Sequence, residues 1–121
     1  MSEIPILKQE DFLIISVQSE LHDKMAEHLQ EKLVEKLEET NADGVLIDVT
    51  ALDVVDSFLG RLIGDTAKMC NMMGAETVLT GLSPSVAITL TELGVELEGV
   101  HTTLNVDKGL KWLRERTKEE E

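Results

Sequence analysis

The chain has 121 residues, enough for one domain that buries a single core without disulfide or metal staples. Its 24 Asp and Glu against 11 Lys and Arg give a net charge of −13, which argues against nucleic acid and anionic membrane as partners, since both select basic patches. A single cysteine, Cys70, excludes an internal disulfide or a cysteine-cluster metal site and, lying between helical apolar positions, is expected to be a buried structural thiol.

Met1–Ser2–Glu3–Ile4–Pro5 has no basic region leading into a long apolar run, and no segment approaches roughly 18 apolar residues, so a cytoplasmic protein is expected. Residues 4–7 and 12–17 are short apolar runs divided by Lys8–Gln9–Glu10–Asp11, the pattern of an antiparallel hairpin, and Pro5 assigns the first strand to a sheet edge. Leu21, Met25, Leu29, Leu33 and Leu37 then recur every four residues among charges, predicting an amphipathic helix over 22–40 that ends in the turn at 40–44. Residues 45–49 read as a buried strand. Phe58, Leu62, Thr66, Met69 and Met73 recur at helical spacing, so the next helix begins at about Ser57 and runs to 73, with Gly74 as its stop.

Thr77–Val78–Leu79–Thr80 reads as a strand, and Ser83 caps a helix that Pro84 opens and that ends before Gly94. Val100–His101–Thr102–Thr103 supplies a short last strand. Asn105 caps a final helix turning Val106, Leu110, Leu113 and Trp112 inward, while the tail 115–121 is expected to fray. No internal repeat or linker divides the chain, so 1–121 is read as one domain. The order β-β-α-β-α-β-α-β-α specifies an α/β fold, a mixed sheet begun by an antiparallel hairpin and continued by parallel crossovers, with four helices. Partner and ligand sites on such sheets lie at the carboxyl ends of the strands, and the loop 50–56 leading to Ser57 is one of those ends.

Ser57 has two readings. Its hydroxyl can cap the helix by accepting from a free N–H of the first turn, with Asp56 as the competing cap. Alternatively it is a modification site, because unpaired donors at a helix N-terminus tolerate a phosphate. Asp48, Asp53 and Asp56 could suggest a receiver-like acidic pocket, but the acidic pair after the first strand and the lysine after the last parallel strand are not in place, so they read as loop-capping, solvated residues. His22, His28 and His101 are scattered, and no phosphate-cradling or dinucleotide glycine pattern is present, so no catalytic residue, metal or cofactor is assigned. Met69, Met72 and Met73 read as gap-filling core or edge residues. Gly60 and Gly64 each cost a helix interior roughly 1 kcal/mol relative to alanine. At about 100° per residue they share a flank with Ser57, Ala67 and Asn71, which either packs inside the domain or forms a strip for partner docking.

Leu46–Ile47–Asp48–Val49–Thr50–Ala51–Leu52–Asp53–Val54–Val55–Asp56–Ser57–Phe58, the run from Leu79 through Ser83–Pro84 to Thr91, and Leu104–Asn105–Val106–Asp107–Lys108–Gly109–Leu110 together resemble the STAS domains. Within that family they are similar to the RsbS-type scaffolds of the bacterial stressosome, and the resemblance covers nearly the whole chain. It implies a non-catalytic domain of stress signalling that self-associates and assembles with RsbR-type STAS paralogues into a large shell, holds an RsbT-type serine kinase, and releases it on phosphorylation. Ser57 matches the family's phospho-acceptor, and an RsbX-type phosphatase would reset it. The partner surface then comprises Asp56, Ser57 and Phe58, with Gly60 and Gly64 if their flank docks. RsbR-type paralogues carry a separate N-terminal sensor domain, for which 121 residues leave no room. The alternative is an anti-sigma factor antagonist of SpoIIAA or RsbV type, in which a small hydroxyl residue and glycine follow the acceptor. Here Phe58–Leu59–Gly60 follows, which favours the scaffold.

Overall fold

The computed structural model describes residues 4–18 and 23–119. In chain order the elements are β1 (Ile6–Gln9), β2 (Phe12–Ser16), α1 (Asp23–Thr40), β3 (Gly44–Asp48), α2 (Ser57–Met72), β4 (Glu76–Thr80), α3 (Pro84–Glu92), β5 (Val100–Thr103) and α4 (Val106–Glu119). They form one five-stranded sheet in the order β1-β2-β3-β4-β5, antiparallel at β1-β2 and parallel beyond. Because the parallel strands are added one after another in the same direction, right-handed crossovers place α1, α2 and α3 on one face. The returning α4 covers the other.

Alternation along each strand feeds the two layers. Leu13, Ile15, Val45, Ile47 and Leu79 point into the larger core with Leu29, Leu33, Ile63, Ala67 and Leu90. Phe12, Leu46 and Val78 point the other way, onto Leu110 and Leu113 of α4. A strand order that never reverses also lacks the crevice that a reversal opens at the carboxyl ends of the strands, so this end of the sheet presents surface loops.

Several boundaries move for identifiable reasons. The first strand begins at Ile6, not Ile4, and includes Lys8 and Gln9, because the hairpin closes on Glu10 and Asp11 with Glu10 at φ 57°. An edge strand keeps one side wet, so polar residues fit there. Leu21, with the predicted first helical residue His22, lies outside the described residues; from Asp23 onward α1 buries Ala26, Leu29, Leu33 and Leu37. The expected frayed tail is helical through Glu119: Thr117 Oγ1 donates to the Leu113 carbonyl at 2.8 Å, and Arg116 pairs with Glu76 at 3.3 Å. Trp112 is half-buried and stacks on the His101 ring at 4.3 Å between centroids.

Candidate functional site

The segment between β3 and α2 is held from three sides. Asp48 Oδ1, at the end of β3, accepts from the Thr50 amide and hydroxyl at 3.2 and 2.6 Å and from the Thr80 hydroxyl at 3.2 Å. The Val49 amide extends the ladder by donating to the Thr80 carbonyl at 2.9 Å. On the α3 side, the Ser85 hydroxyl donates to the Asp53 carbonyl at 3.0 Å. Leu52 and Val55 are buried and pin the loop to the core, which turns Asp53, Val54 and Asp56 outward, Val54 at 81% exposure.

Ser57 is the first residue of α2 and is exposed. Asp56, not Ser57, is the cap: with extended backbone, its carboxylate accepts from the Leu59 amide at 2.8 Å. A charged acceptor placed one residue earlier takes the orphan donor at N3, leaving the serine hydroxyl without a hydrogen bond among the described residues. The hydroxyl is thereby open to solvent, between Asp56 and a Phe58 ring that is 37% exposed. No acidic residue occupies the first turn after the cap.

Gly60 and Gly64 do not continue that surface. Both are buried: a Cβ on Gly60 would stand 2.6 Å from Leu93 Cδ1, and one on Gly64 2.6 Å from Val95 Cγ1. Their flank is thus an internal contact with the end of α3 and the chain that follows it, so the reading of Gly60 and Gly64 as a docking strip is replaced by the internal one. The buried face also runs through Leu59, Ile63, Ala67 and Cys70, leaving Phe58 and Met73 at its margins; Met72 is 80% exposed. Glycine scores as neither apolar nor polar, so a stripe drawn on large residues is rotated away from the closest contact. The Ser85 tie and the outward Val54 escaped sequence reasoning. The i, i+3 pair Leu52 and Val55 was a usable signal for Val54, whereas nothing local connects positions 53 and 85.

Cys70 is buried and free, and burial pushes its thiol up to about 12, the behaviour of an inert structural group. Among the described residues no three His, Cys, Asp or Glu side chains gather to hold a metal, and no helix is long and apolar enough to cross a membrane.

A model of the STAS domain matches residues 3–109. The chain belongs to the STAS family. RsbS of Moorella thermoacetica, in a serine-to-glutamate variant, superposes on this STAS domain with a TM-score of 0.86 at 37% identity, covering 97% of this chain and 99% of that one. A chain from the stressosome, described as a signal integration and transduction hub, superposes with a TM-score of 0.85 at 39% identity, covering 93% and 98% respectively. The RsbT co-antagonist protein RsbRA of Bacillus subtilis (strain 168) is 27% identical over 114 residues, 94% of this chain and 41% of its own length. The chain thus spans less than half the length of that curated relative.

Proposed function

We propose that this STAS domain is an RsbS-type stressosome scaffold and antagonist that sequesters an RsbT-type serine kinase and releases it when Ser57 is phosphorylated. The observation that carries the reading is an exposed, unbonded hydroxyl at the first position of α2, on a fold matching RsbS along almost its full length. The domain acts as a substrate, without turnover of its own, self-associates in the cytoplasm, and takes RsbR-type paralogues as partners, with an RsbX-type phosphatase restoring the hydroxyl. Likeness to RsbS and to the stressosome chain supports the assembly, and the RsbRA match supports the paralogues. The Phe58–Leu59 sequence after the acceptor favours the scaffold over the anti-sigma factor antagonist.

Phosphate changes a surface here and leaves the fold intact. It adds about −1.5 to −2 charges where free N–H donors and the helix dipole accommodate them. A partner fitted to a neutral hydroxyl beside Asp56 then meets added like charge and a desolvation cost. Intact mass after incubation with an RsbT-type kinase and ATP should show one phosphate, absent in Ser57→Ala; phosphate confined to Thr89 or Thr91 would overturn the assignment. Titration calorimetry should show kinase binding retained by Ser57→Ala and weakened in Ser57→Asp. Equal affinities would remove the release mechanism.

A further inference from the structure

Self-association of a chain with net charge −13 must overcome repulsion over most of its surface, so contacts form where cations gather. One such place is a groove of about 250 Å³ between α1 and the N-terminal edge of the sheet, lined by Ile4, Pro5, Ile6, Leu29, His28, Lys32 and Lys36. Among the described residues its lining contains no carboxylate. Lys32 and Lys36 approach Glu35 and Glu39 only at 3.7 and 3.9 Å on the same helix, with all four side chains about half-exposed or more, pairings that are worth little and leave both ammoniums available. Beside the groove, β1 pairs with β2 and is, among the described residues, the outer strand of the sheet.

At the opposite edge, Glu92 at the end of α3 and Glu96 and Glu98 in the chain that leads to β5 are all exposed and in no ion pair among the described residues. This segment is pre-set: the Val95 amide donates to the Leu90 carbonyl, the Val100 amide to the Leu97 carbonyl, each at 3.0 Å, and Val95 and Leu97 pack on the larger core. α1 packs on that same core, so groove and segment lie in one layer at the two ends of the sheet. We propose that the Lys32–Lys36 groove receives the acidic 92–98 segment of a second copy of this chain, a head-to-tail contact. Such a heterologous contact adds copies in series, closing only if the rotation between them permits. The proposal rests on the self-association in the proposed function and specifies its surface.

A charge swap tests it, using sedimentation velocity on the full chain. Wild type should associate less as salt rises, and Lys32→Glu/Lys36→Glu and Glu96→Lys/Glu98→Lys should each associate at least about tenfold more weakly. Mixing the two variants in equal amounts should restore association, which neither an unfolded variant nor a loss of bulk solubility would do. Melting curves accompany each, and Lys32→Gln/Lys36→Gln replaces the reversal if that variant melts early. A monomeric wild type, salt-independent association, or no rescue on mixing would overturn the contact. So would increased association of the lysine variant, which would make Lys32 and Lys36 guards against edge pairing. Kinase capture separates the two levels: a wild type that captures no RsbT-type kinase sinks the scaffold reading, whereas intact capture without charge-swap rescue sinks only this contact.

Discussion

The start of α2 and the flank that continues from it face opposite requirements. At Asp56, Ser57 and Phe58 the chain meets water, whereas at Gly60, Gly64, Ala67 and Cys70 every position is buried. Ser57, Gly60 and Gly64 share a flank by helical angle, yet their surroundings change within one turn, because Leu93 and Val95 reach positions 60 and 64 and Ser57 lies beyond them. Azimuth on a helix therefore does not fix environment; what packs at each height does. With the buried part anchoring the helix, a change of charge at the exposed end should leave the core undisturbed.

Overpacking the buried part should have the largest effect. Gly60→Leu meets Leu93, Leu90 and Val55, and Gly64→Leu meets Val95, so each should lower stability by about 1–3 kcal/mol in denaturant unfolding. Unchanged midpoints would return the flank to the surface. Cys70 sharpens the same contrast through pH. Burial holds its thiol protonated up to about 12 in the fold, against an ordinary 9.0, so the unfolded chain releases that proton first. Stability is unaffected below the ordinary value and falls as pH rises past it, by about 1.4 kcal/mol near pH 10, a loss that Cys70→Ala should not show. Equal pH dependence of the two proteins would place the thiol in a wetter site.

These contrasts also mark what the sequence could reveal. The element order, the parallel crossovers and the capped α3 were readable because strand runs, four-residue spacing and Ser83–Pro84 are local signals. The loop 50–56 was readable as a strand-to-helix junction, but the choice between Asp56 and Ser57 as cap depends on backbone geometry that composition does not encode. The glycine flank was undecidable, since Leu93 and Val95 lie about thirty residues away and no periodicity links them to α2. The helical tail is not legible locally for a similar reason: Arg116 of α4 pairs with Glu76, on β4.

A smaller effect belongs to the boundary itself. Asp56→Ala removes the acceptor of the Leu59 amide and should cost about 1 kcal/mol, in the usual range for a lost N-cap. Asp56→Asn, which keeps an acceptor oxygen, should recover most of it. If alanine is neutral by chemical denaturation, the cap is not holding the start of α2, and the presentation of Ser57 needs another cause.

Ser57 itself should matter least to stability. Its hydroxyl has no hydrogen bond among the described residues, its side chain is exposed, and Asp56 already fills the cap. Ser57→Ala trades a modest helix former for the best one, so unfolding free energies should agree within about 0.5 kcal/mol. Ser57→Asp adds a carboxylate to a first turn that has none, gaining from the helix dipole while being repelled by the neighbouring Asp56. Those terms oppose each other, and the net change should again be small. Denaturant unfolding of the three proteins side by side checks this. A loss above about 1 kcal/mol in either variant would tie Ser57 to the packed part of α2, and a charge-driven change confined to the surface could then no longer account for the proposed kinase release.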